Sequence, residues 1–260
     1  MSHSKSFEVL SKSKAKFIKS LGLKKYRLQE NAFIVEGAKN IQQLLAADYE
    51  VRMVVGTPDF LLSCSALIAK RTQAVFQVDR KTLACLGAFQ SNYTALAVAT
   101  IKPNKPVAVT EQEYGLVLDN IQDPGNLGAI LRIAAWYGMQ AIICSMHTVD
   151  LYNPKVLHAS MGAFTHVQVY YADLATYLSQ AKVPIIGTFT TGENLHHAAL
   201  PVGGLVVIGN ETKGIRAALM PYMQQQISIP GYGSTESLNA AMATAVVCDN
   251  LRRLCPRLSS

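Results

Sequence analysis

Hydrophobic positions along this chain switch between two periods, short runs of β-branched and aliphatic residues and longer stripes at helical spacing. Near the start, Phe7, Leu10, Phe17, Ile18 and Leu21 share one helical stripe with lysines largely opposite, which predicts an amphipathic basic helix. Short apolar runs at 33–35, 51–55, 74–78 and 95–99 predict strands. Helical patterns at 38–46, near 58–70 and at 80–86 separate them. Two prolines and two lysines within 101–106 interrupt the pattern and mark a linker. Beyond it the alternation restarts. Strands are expected at 114–118, 141–144, 166–170, 183–188 and 205–208, with helices at 126–137, 154–160, 173–181 and 237–254. Strands alternating with helices predict an α/β fold whose parallel sheet is covered on both faces, which explains the nearly continuous apolar strands. The expected organisation is an N-terminal α/β domain over 1–100, a linker at 101–111 and a second domain over 112–260.

Composition supports packed cores, with half of the 260 residues apolar and 16% charged. No apolar run approaches the roughly 18 residues of a membrane span. Residues 1–25 are basic without a 7–15-residue apolar core, so a secretory signal is not expected there. Cys64, Cys85, Cys144, Cys248 and Cys255 are scattered and never spaced as Cys-x-x-Cys. That argues against a disulfide frame or a metal site and for a reducing, cytoplasmic setting. The net charge of +7 is uneven: residues 1–40 hold nine Lys or Arg (among them Lys5, Lys12, Lys14, Lys16 and Lys19) against Glu8, Glu30 and Glu36. Six of the seven net charges therefore lie in that stretch. It reads either as a grip on a polyanion or as the solvated face of the basic helix, and the two are compatible.

Three later segments carry candidate chemistry. In 118–138, a buried strand meets the turn Asp123-Pro124-Gly125, then a helix that Asn126 is placed to cap and that carries Arg132 six residues further on. Gly128 permits close approach to the backbone. A polar turn and a cation beside a helix N-terminus suit a phosphate-bearing substrate, and an Asn cap with a solvated Arg is the plainer alternative. In 205–215, an apolar strand ends at Gly209-Asn210-Glu211 and the loop closes at Gly214. Loops at the carboxyl ends of parallel strands are where such sheets bind ligands, and Gly209 would let a flat ring lie on the main chain. In 227–254, a short strand meets Pro230 and a Gly/Ser-rich loop. That loop enters a long helix expected to begin near Ser237, with Leu238, Ala241, Met242, Ala245 and Val246 as its apolar face. Ser237 and Asn239 stand at the helix mouth, where capping is their simplest role.

The three segments, in this order, resemble the three motifs of the SpoU (TrmH-type) RNA ribose 2′-O-methyltransferases of the SPOUT superfamily. Asn126, Gly128 and Arg132 match the first; Gly209, Asn210, Glu211 and Gly214 the second; Ile229, Pro230, Ser237, Leu238 and Asn239 the third. The run Phe33-Ile34-Val35-Glu36-Gly37 is similar to the start of the family's RNA substrate-binding domain. The resemblance implies a SPOUT catalytic domain with a C-terminal trefoil knot and a smaller N-terminal RNA-binding domain. It implies S-adenosylmethionine in the knot's loops, held by Gly209, Ile229 and Leu238, with Thr188 bordering the adenine. It also implies a homodimer through the catalytic domain and rRNA or tRNA as substrate. Arg132, Asn126, Glu211, Ser237 and Asn239 become the catalytic set, with no metal and no membrane partner.

Within that set Arg132 is the proposed base or a clamp on the adjacent phosphate. The clamp suits the chemistry better, because an arginine pKa above about 12 keeps it charged. Two departures from the family pattern stand out. Thr212-Lys213 follows the glutamate where relatives have glycine, which would strain a backbone needing φ > 0. His158 stands where relatives show Arg, as a proton-dependent phosphate contact or a plain helix-surface residue. A catalytically inactive RNA-binding protein of the same fold is the competing reading. A Rossmann-type nucleotide enzyme is disfavoured by the missing Gly-x-Gly-x-x-Gly and P-loop motifs.

Overall fold

The computed structural model describes residues 9–72 and 74–254. Phe7, Lys5, Glu8 and Cys255, which entered the reading of the sequence, lie outside the described residues. The chain forms two compact units. One holds the described residues up to Pro103 together with Tyr152–Thr165, and the other holds Asn104–Leu151 and the described residues from His166 onward.

The first unit runs α1 (Lys12–Ser20), α2 (Lys24–Glu30), β1 (Ala32–Glu36), α3 (Ala38–Ala46), β2 (Val51–Gly56), α4 (Pro58–Ser63), α5 (Ser65–Arg71), β3 (Val75–Gln77), α6 (Arg80–Leu86) and β4 (Ala95–Thr100). Its sheet has the order β1-β4-β2-β3, antiparallel except between β2 and β3. The basic N-terminal region is two short helices. Ser11 caps α1 by accepting from the Lys14 amide, and Ile18 and Leu21 are fully buried against Leu83 and Leu86. The break follows from Gly22 and from Arg27, whose buried guanidinium donates to the carbonyls of Leu21 (3.1 Å) and Gly22 (2.9 Å) just beyond the end of α1. The helical pattern near 58–70 is likewise split, at Cys64.

The second unit contains β5 (Tyr114–Leu118), α7 (Pro124–Trp136) and β6 (Ala141–Ser145). After α8 (Pro154–Ser160) come β7 (Gln168–Ala172), α9 (Leu174–Ser179), β8 (Ile185–Phe189), β9 (Glu193–Asn194), β10 (Gly204–Ile208), β11 (Gln225–Ser228) and α10 (Ala240–Leu254). Its seven-stranded sheet has the order β7-β6-β5-β10-β8-β11-β9, every pair parallel. β5 and β10 are buried along their whole length, as strands covered on both faces must be. The connection after β5 leads to β6 on one side; the connection after β10 leads to β11 on the other. The carboxyl ends of β5 and β10 are thus the switch point of the sheet, where open α/β sheets form a ligand crevice.

Two features depart from the expected organisation. Helix α8, expected within the second domain, packs with the first unit. It lies against β1, buries Val156 and Leu157, and brings Tyr152 and Phe164 onto the rings of Phe33 and Tyr49. The aromatic cluster supplies the apolar surface these rings need. The expected linker has no regular structure, yet it is tied down within each unit. In the first, Ile101 bonds to Asn31; in the second, Asn104 exchanges two hydrogen bonds with the Tyr171 backbone and Tyr177 donates to the Val107 carbonyl.

Candidate active site

The loops leaving β5, β10 and β11 carry the residues singled out from the sequence. After β5 the chain enters α7 through Asp123, whose side chain accepts from the Asn126 amide at 2.8 Å. Asp123 is therefore the cap, and Asn126 lies inside the first turn. The helix begins two residues earlier than Asn126 because Pro124 takes the first helical place, where its missing N–H costs nothing. With its own amide engaged by Asp123, Asn126 is free to turn its side chain to other partners.

Asn126 Nδ2 donates to Glu211 Oε1 at 2.6 Å, and Asn126 Oδ1 accepts from Asn239 Nδ2 at 2.9 Å. Asn239 Oδ1 accepts from the amides of Ala241 and Met242, capping α10. Helix α10 accordingly starts at Ala240, three residues later than expected, and Ser237 is left outside as an exposed loop residue with no hydrogen bond among the described residues. A carboxylate can only accept, so Glu211 fixes the orientation of the Asn126 amide and, through it, that of Asn239. One continuous set of hydrogen bonds joins the three motif segments.

The loop after β10 is closed by Asn210. Its backbone pairs with Gly214 in both directions, its Oδ1 accepts from the amides of Thr212 and Lys213, and its Nδ2 reaches the Asn120 carbonyl at 2.8 Å. Thr212 keeps a negative φ, and Gly214 takes the left-handed place at φ 66°, so the departure at Thr212 carries no strain. Gly209 serves the same closure. A Cβ there would lie 2.4 Å from the Gly214 carbonyl carbon, so the space expected to admit a flat ring is filled by the loop's own backbone.

Three residues that the sequence did not single out hold this loop to the end of β5. Asp119, fully buried, accepts from Arg216 Nε at 2.7 Å and from the Arg216 amide at 2.9 Å. Asn120 adopts φ 62°, a conformation asparagine tolerates, and donates its amide to Ser145 Oγ. A charged residue abutting the all-apolar run 115–118 was the available signal for Asp119. Nothing local pointed to Arg216, 97 positions away.

Arg132 is exposed on α7 and makes no hydrogen bond or ion pair among the described residues. It stands six residues, about 9 Å along the axis, beyond Asn126. Thr188, at the end of β8, donates its hydroxyl to the Val207 carbonyl at 2.8 Å. Residues 229–238, between β11 and α10, make no hydrogen bond among the described residues, and Gly231 and Gly233 have open space where a Cβ would lie. Ile229 is half-buried and Leu238 is 50% exposed. This stretch offers free amides, free carbonyls and apolar side chains beside the three-loop network. No group of three or more potential metal ligands occurs among the described residues.

Comparison with known proteins places these features. A model described as the SpoU rRNA methylase family matches residues 113–249, and one described as the MRM3-like substrate binding domain matches 12–92. The chain is 28% identical over 254 residues to the 23S rRNA (guanosine(2553)-2′-O)-methyltransferase of Bacillus subtilis, covering 95% of this chain and 99% of that protein. A solved structure from the TrmH family of RNA methyltransferases of Porphyromonas gingivalis is 34% identical, with TM-score 0.83 over 95% of this chain and all of that one. An AdoMet-bound rRNA methyltransferase from Sinorhizobium meliloti is 25% identical, with TM-score 0.84 over 97% and 98% of the two chains.

Proposed function

Because the chain belongs to the SpoU rRNA methylase family, we propose that its second unit positions a ribose 2′-hydroxyl of RNA for methylation at the switch point of the sheet. The protein is an RNA ribose 2′-O-methyltransferase that uses S-adenosylmethionine. The observation that carries the mechanism is the Asn239–Asn126–Glu211 network, which locks all three motif loops into one frame.

The residues at the site fit the cofactor. Its adenine, ribose hydroxyls and amino-acid end need donors, acceptors and an apolar floor, which the unbonded backbone of 229–238 with Ile229 and Leu238 offers. Thr188 borders the same edge through β8, the neighbour of both β10 and β11. Gly209 contributes by letting the 209–214 loop close, and not by an open face of its own. When bound, S-adenosylmethionine supplies an electrophilic methyl on a sulfonium.

The remaining work falls to the chain. Arg132, charged at every working pH, clamps the phosphate next to the target ribose and stabilises the negative charge that grows on the 2′-oxygen. The hydroxyl proton leaves to a phosphate oxygen or to water. Asn126 and Asn239 hold α7 and α10 in register, Glu211 fixes both amides, and Ser237 faces the RNA. Holding the two reactants in line can contribute about 7–11 kcal/mol to such a transfer.

Large-subunit rRNA is the substrate class the reading favours, and the first unit is the part that grips it. We also propose that the second unit folds with a trefoil knot and pairs with a second copy. The knot is supported by the place of β10 in the sheet, between β5 and β8, both of which precede it in the chain. Pairing is supported by exposed apolar side chains on two helices that pack together: Trp136 on α7 is 82% exposed and Met242 on α10 is 63% exposed. The thiols of Cys64, Cys85, Cys144 and Cys248 are free, which suits the cytoplasm. The test is transfer of labelled methyl from S-adenosylmethionine to rRNA and tRNA, with the product mapped. A methylated base, or no transfer to either RNA, would overturn this reading.

A further inference from the structure

Residues 87–94, between α6 and β4, form a loop that is tied to buried Glu36 and carries two aromatic residues, Phe89 and Tyr93. Glu36, buried at the end of β1, accepts from the amides of Ala88 (2.7 Å) and Phe89 (3.4 Å) and from Asn92 Nδ2 (3.3 Å). Gly87 is required for this: a Cβ there would lie 2.1 Å from Glu36 Oε2. Asn92 is itself buried, donating to the Ala95 carbonyl and accepting from the Thr94 amide. Tyr93 is 53% exposed, and the half-buried Phe89 ring stacks on exposed His158 of α8, with centroids 4.3 Å apart and planes at 27°. The same unit is cationic on the helices before the loop. Helix α6, which leads into it, begins Arg80-Lys81, and α1, carrying Lys12, Lys14, Lys16 and Lys19, packs on α6. Aromatic residues on a tied loop, in a unit whose preceding helices are cationic, match what unpaired nucleobases on a phosphate backbone require.

We propose that loop 87–94 is a stacking platform for unpaired RNA bases. Phe89 (backed by His158) and Tyr93 supply the ring faces, and α1 and α6 supply the phosphate contacts. The proposal rests on the reading of the first unit as the RNA-gripping part and assigns it a preference for single-stranded over paired substrate. Buried Glu36 acts as a positioning residue that presents the loop and does not touch the RNA.

The test uses the full chain and two fluorescein-labelled RNA probes, an unstructured 12-nucleotide strand and a fully paired hairpin, with a 2-aminopurine version of the strand to report stacking. The parent should bind the strand more tightly than the hairpin and quench 2-aminopurine. Tyr93→Ala and Phe89→Ala should each lose roughly five- to a hundred-fold in affinity for the strand. Their affinity for the hairpin and their S-adenosylmethionine binding should stay at the parent values, as should the melting temperature of Tyr93→Ala, whose ring is exposed. Tyr93→Trp and Phe89→Trp should restore both quenching and strand affinity, which a merely structural role would not require. Parent-like strand binding by a folded Phe89→Ala, Tyr93→Ala double variant would overturn the platform alone. A parent that binds S-adenosylmethionine but neither RNA would overturn it together with the RNA-gripping role of the first unit.

Discussion

Glu211 can only accept hydrogen bonds, and that one-sidedness orders its neighbours. The Asn126 amide must turn its nitrogen to the carboxylate, leaving its oxygen for Asn239. The residue types were legible in the sequence, but their roles were shifted by local competition. Asp123 out-competed Asn126 for the α7 cap, and Asn239, not Ser237, capped α10. Both losses freed or fixed a side chain for the network. Arg132, exposed and without a partner among the described residues, stabilises charge in the proposed mechanism. Arg132→Ala is therefore expected to lower methyl transfer by at least about a hundred-fold while S-adenosylmethionine affinity, measured by calorimetry, stays near the parent value. Turnover equal to the parent's would remove it from the mechanism.

Glu36 makes a pH prediction. Burial raises its carboxyl above the usual value, against the opposing hydrogen bonds from Ala88, Phe89 and Asn92 and the charge of His158. A raised folded-state value means that its contribution to stability is full below the ordinary carboxylate range and fades as pH rises through the raised one. The melting temperature of the parent relative to Glu36→Gln should fall as pH rises from the ordinary carboxylate range through the raised value. A flat or rising difference would contradict this.

At the scale of elements, strands were more legible than helix ends. The apolar runs at β5, β6 and β10 have one reading, because burial on both faces leaves no polar alternation to misplace. Helix α10 was harder, because it is apolar on two sides. The expected stripe through Leu238, Met242 and Val246 holds larger side chains, but Leu238 lies before the helix and the buried face is Ala240, Ala241, Thr244, Val247, Cys248, Asn250 and Leu251. Thr244 can sit there because its hydroxyl donates to the Ala240 carbonyl at 2.7 Å. In the proposed dimer the second stripe meets a partner. Trp136→Glu combined with Met242→Glu should convert the protein to a monomer by light scattering without lowering its melting temperature. A monomeric parent would end that proposal.

Asp119–Arg216, also an element-scale tie, joins the end of β5 to the loop after β10 across 97 positions, a separation that no local pattern reports. Arg216→Ala strands a buried carboxylate and should cost about 3 kcal/mol, or roughly 6–12 °C for a unit of this size. Adding Asp119→Asn should recover part of that loss in calorimetric melting. A parent-like Arg216→Ala, or no recovery, would show that the pair does not hold the loop.

For the whole molecule, the alternation of strands and helices predicted the fold class, and the motif order predicted the family. Assignment of 154–160 to a unit was not legible. The segment's own pattern says only that it is a helix, and its place depends on the rings of Phe33 and Tyr49, more than a hundred residues earlier. Strand order was equally hidden, since β10 lies between β5 and β8 and not beside β9, its predecessor in the chain.

The most direct test incubates the protein with methyl-tritiated S-adenosylmethionine and unmodified rRNA, then digests the product with alkali. The account predicts tritium in a dinucleotide that resists alkaline cleavage, as a ribose methylated at its 2′-oxygen must, and none when Arg132 is alanine. Tritium released entirely in mononucleotides would place the methyl on a base and contradict the account.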